Sequence, residues 1–270
     1  METIIRVKDL RKVYKLGSEK VVALDCINLE IHKGEVLCIL GTSGSGKSTL
    51  LNQLAGLEKP TRGGVYIGKK NISRMSEDQL ARFRQKNVGF VFQSYNLLNS
   101  QTALENVSMP LMFRGVDKRT REKSALQMLH RVGLGERCKH RPNQMSGGQQ
   151  QRVGIARAFV SKPAIVFADE PTGNLDSKTT IEVMEMMVRL ARENNQTFIL
   201  VTHDQELSLI DRTVVDPPEE SPAEGSASQE EPGTAQAPQP PEQEEAPEPI
   251  AETEPDSGSA ENTQEKEIKP

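Results

Sequence analysis

The segment EVLCILGTSGSGKSTLLNQLAGL, residues 35–57, decides the fold of this chain. Its first six residues are almost all apolar, which is typical of a strand buried on both faces of a sheet. The next eight fit G-x-x-x-x-G-K-[S/T], the pattern of a phosphate-binding loop. Residues 48–57 then predict a helix, whose N-terminus adds partial positive charge. The segment therefore predicts a strand–loop–helix unit that holds the phosphates of a nucleotide.

Each residue type in the loop has a physical role. Glycine lets the backbone curl around phosphate oxygens with its N–H groups pointing inward. Lys47 is expected to neutralise the β- and γ-phosphates, and the Ser48 hydroxyl is expected to bind Mg²⁺. The residues predicted to surround the phosphates are Gly41, Thr42, Ser43, Gly44, Ser45, Gly46, Lys47, Ser48 and Thr49.

Outside this segment the chain alternates apolar runs with helical patterns, which predicts an α/β fold. Residues 88–93, 164–168 and 197–202 are further apolar runs and predict buried strands. The apolar positions between residues 22 and 31 suggest an antiparallel strand pair. A stripe at helical spacing predicts the core face of a helix after Asp176, and it comprises Ile181, Met184, Met187, Val188 and Ala191.

Charge divides the chain into two parts. Residues 216–270 contain 16 acidic and 2 basic residues, 11 of the 16 prolines and no aromatic residue. Such a composition predicts a disordered acidic tail, because it buries too little apolar surface to offset the entropy of ordering. The first 215 residues carry a net charge of +10 and form the predicted globular domain.

Several classes of protein are excluded by composition. The three cysteines, Cys26, Cys38 and Cys138, are too few and too scattered for a disulfide framework, so a reducing, cytosolic setting is expected. No run approaches the 18 apolar residues of a membrane-spanning helix. The N-terminal residues lack the apolar core of a secretory signal.

Two acidic residues, Asp169 and Glu170, follow the apolar run at 164–168. Adjacent side chains on a strand point to opposite faces, so the two carboxylates can have different roles. Asp169 is expected to hold Mg²⁺ through its water shell, and Glu170 to orient or deprotonate an attacking water. His203 follows the run at 197–202, where an imidazole can reach the γ-phosphate.

A second anion-binding element is the turn Met-Ser-Gly-Gly-Gln, residues 145–149, before a predicted helix at 150–160. It presents N–H groups at a helix N-terminus through Ser146, Gly147, Gly148 and Gln149. Two anion sites that cannot both face one nucleotide within a monomer suggest a head-to-tail pair of chains. Each nucleotide would then lie between the loop of one copy and the turn of the other.

Over about residues 3–215 the chain resembles the ATP-binding cassette (ABC) ATPases, with the family's LSGGQ signature present as MSGGQ. The resemblance implies a RecA-like core with an N-terminal antiparallel β subdomain and a helical subdomain at about 94–160. It also implies that ATP and Mg²⁺ are the ligands. By position, Gln93 resembles the glutamine that senses Mg²⁺ and the lytic water, and Asp176 lies in a loop that crosses the dimer interface. His203 resembles the switch histidine, and Tyr14 the aromatic residue that stacks on adenine.

Finer patterns, among them PTGNLD after Glu170, resemble the macrolide-exporter, lipoprotein-release and cell-division ABC ATPases. This resemblance implies a homodimer on the inner, cytoplasmic face of the cell membrane, bound to a separately encoded permease. No nucleic-acid partner is expected. In the family, the region of residues 94–115 accepts a helix of the membrane subunit, and some of its apolar residues are expected to line that groove. These apolar residues are Leu97, Leu98, Leu104, Val107, Leu111, Met112 and Phe113.

One departure from the family pattern lies near residue 216. No Asp-Gly turn follows the switch histidine, so the terminal strand pair is expected to be shortened or replaced. Two alternatives to a transporter subunit stay open. The first is a soluble ABC ATPase, although the roughly 100 residues between Lys47 and Ser146 contain no coiled-coil heptads. The second is a nucleotide binder that regulates without hydrolysing ATP.

Overall fold

In a computed structural model the chain divides into two units, Met1–Glu219 and Glu220–Pro270. The structure describes residues 2–202 and 212–215, and for the last four it describes the backbone alone. The predicted tail at 216–270 and His203 lie outside the described residues. Among the helices of the described part, none is both long and apolar enough to cross a membrane.

Nine strands and six α-helices make up the described part of the chain. The strands are β1 (Thr3–Leu16), β2 (Glu19–His32), β3 (Val36–Leu40), β4 (Arg62–Ile67), β5 (Lys70–Asn71), β6 (Val88–Phe92), β7 (Ile165–Asp169), β8 (Thr197–Thr202) and β9 (Arg212–Val215). The helices are α1 (Lys47–Leu54), α2 (Glu77–Asn87), α3 (Ala103–Phe113), α4 (Lys118–Arg131), α5 (Gly147–Phe159) and α6 (Ser177–Glu193).

Five strands form a parallel sheet in the order β6-β7-β8-β3-β9. All four predicted buried strands are in it, and their ends differ from prediction by at most one residue. The edge strand β9 pairs with β3, from Leu37 opposite Arg212 to Leu40 opposite Val215. One parallel strand after β8 is therefore retained where the sequence predicts a shortened terminus.

The remaining strands form an antiparallel sheet in the order β2-β1-β4-β5. The strand pair predicted from residues 22–31 is β1 with β2, whose register shifts at several points along its length. Its inner face is apolar, since Ile5, Leu10 and Ile31 are fully buried. Fold class is thus confirmed as mixed α/β, with a parallel core and an antiparallel subdomain.

Strands β3, β7 and β8 are buried on both faces of the sheet, which explains why they are almost continuously apolar. In β8, Phe198 and Leu200 pack with α3–α6 in one core, while Ile199 and Val201 pack with α1, α2 and the antiparallel sheet in another. Successive side chains of β3, β7 and β8 thus pack into opposite cores.

Two helical predictions need correction. Helix α1 ends at Leu54 instead of residue 57, because Gly56 takes a left-handed φ of 65° and the Leu57 N–H turns back to the Asn52 carbonyl. Ile181 is 60% exposed, so it does not belong to the core stripe of α6. It lies early in the helix, before the residues from Val183 onward that pack against the sheet.

The residue that precedes helix α1 is a glycine, Gly46, which no other residue can replace without strain. Gly46 has a φ of 89°, and a Cβ there would lie 2.3 Å from the Ala23 carbonyl oxygen of β2. Gly44 has a similar φ of 87°, but a Cβ there would meet no atom within 4 Å. The loop therefore bends at Gly46 in contact with the antiparallel sheet.

We expect Gly46→Ala to destabilise the protein more than Gly44→Ala. Each variant forces a side chain into the left-handed region, which costs about 1–2 kcal/mol. Only Gly46→Ala adds a backbone clash, so its loss of unfolding free energy should be larger by about 1 kcal/mol or more. Urea denaturation measures both variants against the unmodified chain, and equal losses would contradict this account of the bend.

Candidate functional site

Five of the predicted site residues lie at one edge of the parallel sheet, and these are Lys47, Ser48, Gln93, Asp169 and Glu170. In the register, Leu40 is opposite Thr202, and Asp169 is opposite both Val201 and Phe92. The loops that begin at residues 41, 93 and 170 therefore leave the carboxyl ends of three strands of the sheet. This edge is where open α/β sheets bind their ligands.

Lys47, the first residue of α1, lies inside the phosphate-binding loop. It is only 5% exposed, and its Nζ donates to the Thr42 carbonyl at 2.5 Å and to Ser45 Oγ at 3.4 Å. No side chain caps the helix at Gly46, which leaves the N-terminal N–H groups to a ligand. The loop thus has a buried ammonium group and unpaired donors, as the binding of phosphate requires.

A hydrogen bond joins the loop to strand β7. Ser48 Oγ donates to Asp169 Oδ1 at 2.9 Å. Burial raises the pKa of Asp169, and the charge of Glu170 raises it further, while the Ser48 bond and Lys47 act in the opposite direction. A nearby cation would offset this penalty on the carboxylate.

This pair of oxygen atoms fits a magnesium ion. Mg²⁺ prefers hard oxygen ligands and is usually held by one or two protein groups, with waters and phosphates completing the shell. The described residues contain no cluster of three or more His, Cys, Asp or Glu side chains that could hold a metal ion. A cation at this edge would therefore be held by Ser48, by Asp169 and by the nucleotide.

Glu170 is held in an uncommon backbone conformation. Its φ is 41°, its N–H donates to the Val201 carbonyl at 3.0 Å, and its own carbonyl accepts from Gly173 at 3.2 Å. A non-glycine residue at positive φ costs free energy and is found most often at functional sites. The turn ends β7 and directs the chain away from the sheet after Asp169.

Gln93 follows β6 and lies against the loop that follows Glu170. The Asn174 Nδ2 donates to the Gln93 carbonyl at 3.1 Å. A Cβ on Gly173 would lie 2.8 Å from the Gln93 Nε2, so the side chain covers that glycine. The structure thus brings Gln93 to the Glu170 loop, while its contact with Mg²⁺ stays a prediction.

The MSGGQ turn begins α5 with reciprocal capping. Ser146 Oγ accepts from the Gln149 N–H at 3.3 Å, and Gln149 Oε1 accepts from the Ser146 N–H at 3.1 Å. A Cβ on Gly147 would lie 2.9 Å from the Tyr95 hydroxyl, and one on Gly148 would lie 3.0 Å from a Thr179 methyl. The helix therefore begins at Gly147, three residues before its predicted start.

This turn has no hydrogen bond or ion pair to residues 41–49 of its own chain within the described part of the structure. Asp176 lies near it, at the start of α6. The Asp176 carboxylate accepts from the Thr179 N–H at 3.0 Å and from the Thr179 Oγ1 at 2.7 Å, and these bonds lower its pKa. Asp176 is exposed, so it can also face a second molecule.

Tyr14 lies at the far end of β1. Its hydroxyl donates to Glu58 Oε2 at 2.7 Å, and the Lys12 ammonium is 5.0 Å from its ring centroid. Burial raises the pKa of Tyr14, and the bond to Glu58 adds to this effect. Stacking on adenine stays a prediction, as does the role of His203, which is outside the described residues.

Two polar residues of α5, one buried and one half-buried, escaped the sequence analysis. Gln151 is fully buried, and its Nε2 donates to the Pro171 carbonyl at 2.5 Å. Arg157 donates to the carbonyls of Tyr95 and Asn96. The one available signal was Gln151, a polar residue four positions before the apolar Ile155 on the same helix face.

Comparison with known proteins agrees with this geometry. The family model described as ABC transporter matches residues 24–173. An uncharacterized ABC transporter ATP-binding protein of Thermotoga maritima is 49% identical over 207 residues, which are 77% of this chain and 88% of that protein. The lipoprotein-releasing system ATP-binding protein LolD of Geobacter metallireducens is 46% identical over 215 residues, which are 79% and 96% of the two chains.

A solved structure is similar throughout the described fold. It is an ATP-binding cassette of Methanocaldococcus jannaschii, a dimer in a post-hydrolysis state bound to ADP and Pi. The TM-score is 0.73 with 43% sequence identity, over 78% of this chain and 93% of that one. These matches, together with the phosphate-binding loop and the carboxylates beside it, show that the chain belongs to the ABC transporter family and is an ATP-binding, ATP-hydrolysing cassette subunit.

Proposed function

We propose that two copies of this chain close head-to-tail around two Mg-ATP, and that this closure drives a separate membrane permease. The observation that carries the proposal is the bond between Ser48 and Asp169, which supports a cation site beside the phosphate-binding loop and Glu170. The work performed would be export, lipoprotein release or mechanical signalling across the membrane.

Each residue at the sheet edge has a proposed role in hydrolysis. Lys47 leaves the Thr42 carbonyl and binds the β- and γ-phosphates. Glu170 orients the attacking water and accepts its proton, while Gln93 positions that water from the opposite loop. Mg²⁺, when bound, neutralises charge on the phosphates. His203, which follows β8 in the sequence, would contact the γ-phosphate.

The proposed dimer is supported by the separation of the two anion-binding elements. The MSGGQ turn presents the Gly147 and Gly148 N–H groups at the start of α5, and within the described residues it forms no hydrogen bond to its own phosphate-binding loop, so a second copy is the natural source of its ligand. The similar cassette that binds ADP and Pi is itself a dimer. Asp176, beside the turn and exposed, is proposed to contact that second copy.

A groove on the helical side is proposed to receive the permease. It has a volume of about 520 Å³ and lies between α2, β6, α3 and α5, with Leu57, Met109 and Phe113 on its walls. Phe113 is 62% exposed, which is unusual for a large apolar side chain. Of the predicted apolar residues, Val107 and Leu111 are buried in the core, whereas Phe113 lines the groove.

The permease would place the subunit on the inner, cytoplasmic face of the cell membrane. The similar LolD protein is named as the ATP-binding protein of a lipoprotein-releasing system, which supports a partner of this kind.

We expect Glu170→Gln to trap an ATP-bound dimer. The amide keeps the shape of the side chain but accepts no proton, so hydrolysis should slow by about 10²-fold or more while closure persists. Light scattering coupled to size-exclusion chromatography, with ATP or ADP, measures the mass of the species. Glu185→Gln, the same change at an exposed position of α6, is the control and should behave as the unmodified chain. A Glu170→Gln chain that stays monomeric in ATP, while the unmodified chain hydrolyses it, would contradict the shared site.

We expect Asp169→Asn to weaken the response to magnesium. The amide removes the negative charge from the proposed cation site but leaves the phosphate-binding loop intact. Turnover should fall about 10²-fold, and the gain in affinity for a fluorescent ATP analogue on adding MgCl₂ should disappear. Affinity without the metal should be unchanged, and Asp78→Asn at the exposed start of α2 is the control. An undiminished Mg²⁺ effect in Asp169→Asn would exclude this residue from the site.

A further inference from the structure

The turn that follows Gln93 has a strained backbone. Tyr95 and Asn96 are consecutive non-glycine residues with left-handed φ values of 59° and 48°. Such conformations cost free energy and persist only where surrounding groups hold them. The turn begins two residues after Gln93, so whatever holds it also sets the direction in which the chain leaves β6.

Arg157 of α5 is bonded to this turn. Its Nη1 donates to the Asn96 carbonyl at 2.5 Å, and its Nη2 donates to the Tyr95 carbonyl at 2.8 Å. The two bonds use the planar fork of the guanidinium on two successive peptide groups. No carboxylate of the described residues forms an ion pair with Arg157, so carbonyl dipoles are its partners. The guanidinium is half-buried, and this desolvation lowers its pKa.

Gln93 is thus held from two sides. On one side, Asn174 binds its carbonyl from the loop that follows Glu170. On the other side, Arg157 fixes the turn that continues the chain. If the turn relaxed, the Gln93 side chain would lose its place against Gly173, beside the glutamate proposed to activate water.

We propose that Arg157 is a positioning residue for ATP hydrolysis, which holds Gln93 beside the Glu170 loop by bonding the carbonyls of Tyr95 and Asn96. The proposal rests on the role in catalysis proposed for Gln93 above. It assigns a function to Arg157, whose guanidinium bonds the backbone of the turn and forms no ion pair within the described part of the chain.

The chain contains a matched control. Arg114 also donates only to carbonyls, those of Gln85, Lys86 and Ser161, and burial also lowers its pKa. It is bonded to no residue of the turn or of the Glu170 loop. Arg157→Lys and Arg114→Lys therefore remove the same fork from similar surroundings, but only the first affects Gln93.

The experiment measures kcat and KM for ATP in the full chain. We expect Arg157→Lys to lower kcat about 10-fold with KM changed less than about twofold, because the phosphate-binding loop is untouched. Arg114→Lys should leave kcat within about twofold, with a comparable shift in Tm. In a Gln93→Ala background, adding Arg157→Lys should produce no further loss of kcat.

A rescue variant tests the strain directly. Glycine takes a left-handed φ without cost, so adding Asn96→Gly to Arg157→Lys should recover part of the lost kcat. A packing role for Arg157 would not respond to this change. Should the lysine variant not fold by circular dichroism, Arg157→Gln serves the same comparisons with one amide donor.

The outcomes separate this inference from the proposed function. Equal losses of kcat in Arg157→Lys and Arg114→Lys, or an equal further loss in the Gln93→Ala background, would overturn the role of Arg157. If Gln93→Ala is impaired but Arg157→Lys is not, only the inference fails. A Gln93→Ala chain that hydrolyses ATP as fast as the unmodified chain would remove both this inference and the role proposed for Gln93.

Discussion

The parallel register of the central strands is the constraint on which the functional site depends. Leu40 pairs with Thr202 while Asp169 pairs with Val201 and Phe92, so three loops start at one level of the sheet. A shift of one residue in any strand would exchange the two faces of that strand and move its core residues to the wrong side. The two separate cores fix the register, and the register in turn brings Ser48 to within 2.9 Å of Asp169.

The two charged groups at the sheet edge, Lys47 and Asp169, are in surroundings that favour the binding of a ligand. Lys47 is buried and is bonded to a carbonyl and a hydroxyl of its own loop, while burial raises the pKa of Asp169. Both groups lose hydration in the folded chain, and for Asp169 the bond from Ser48 and the charge of Lys47 offset this loss only in part. A phosphate beside Lys47 and a cation beside Asp169 would supply the missing partners, so binding of the two is expected to be mutually favourable.

Helix α5 connects parts of the site that are far apart in sequence. Its first residues form the MSGGQ turn, Gln151 binds the loop after Glu170, and Arg157 binds the turn after Gln93. The bonds of Gln151, which is buried, and of Arg157, which is half-buried, are hydrogen bonds to carbonyls, which are directional and costly to leave unmade. Helix α5 therefore links the MSGGQ turn to the loop after Glu170 and to the turn after Gln93 in the same chain.

The sequence by itself determined the α/β class, four of the five strands of the parallel sheet, the phosphate-binding loop and the two carboxylates at the end of β7. These are local patterns, since apolar runs, glycine spacing and helix-start signals depend on neighbouring residues. Only the tertiary structure decided the partners of Gln93, the position of Asp176 beside the MSGGQ turn, where it caps α6, the exposure of Ile181 and the bonds of Arg157. A guanidinium 61 residues from Asn96 in sequence meets its carbonyl only once strand register and helix packing are fixed. Such pairings are set by the whole fold, because the sequence of α5 does not indicate which distant backbone groups Arg157 will contact.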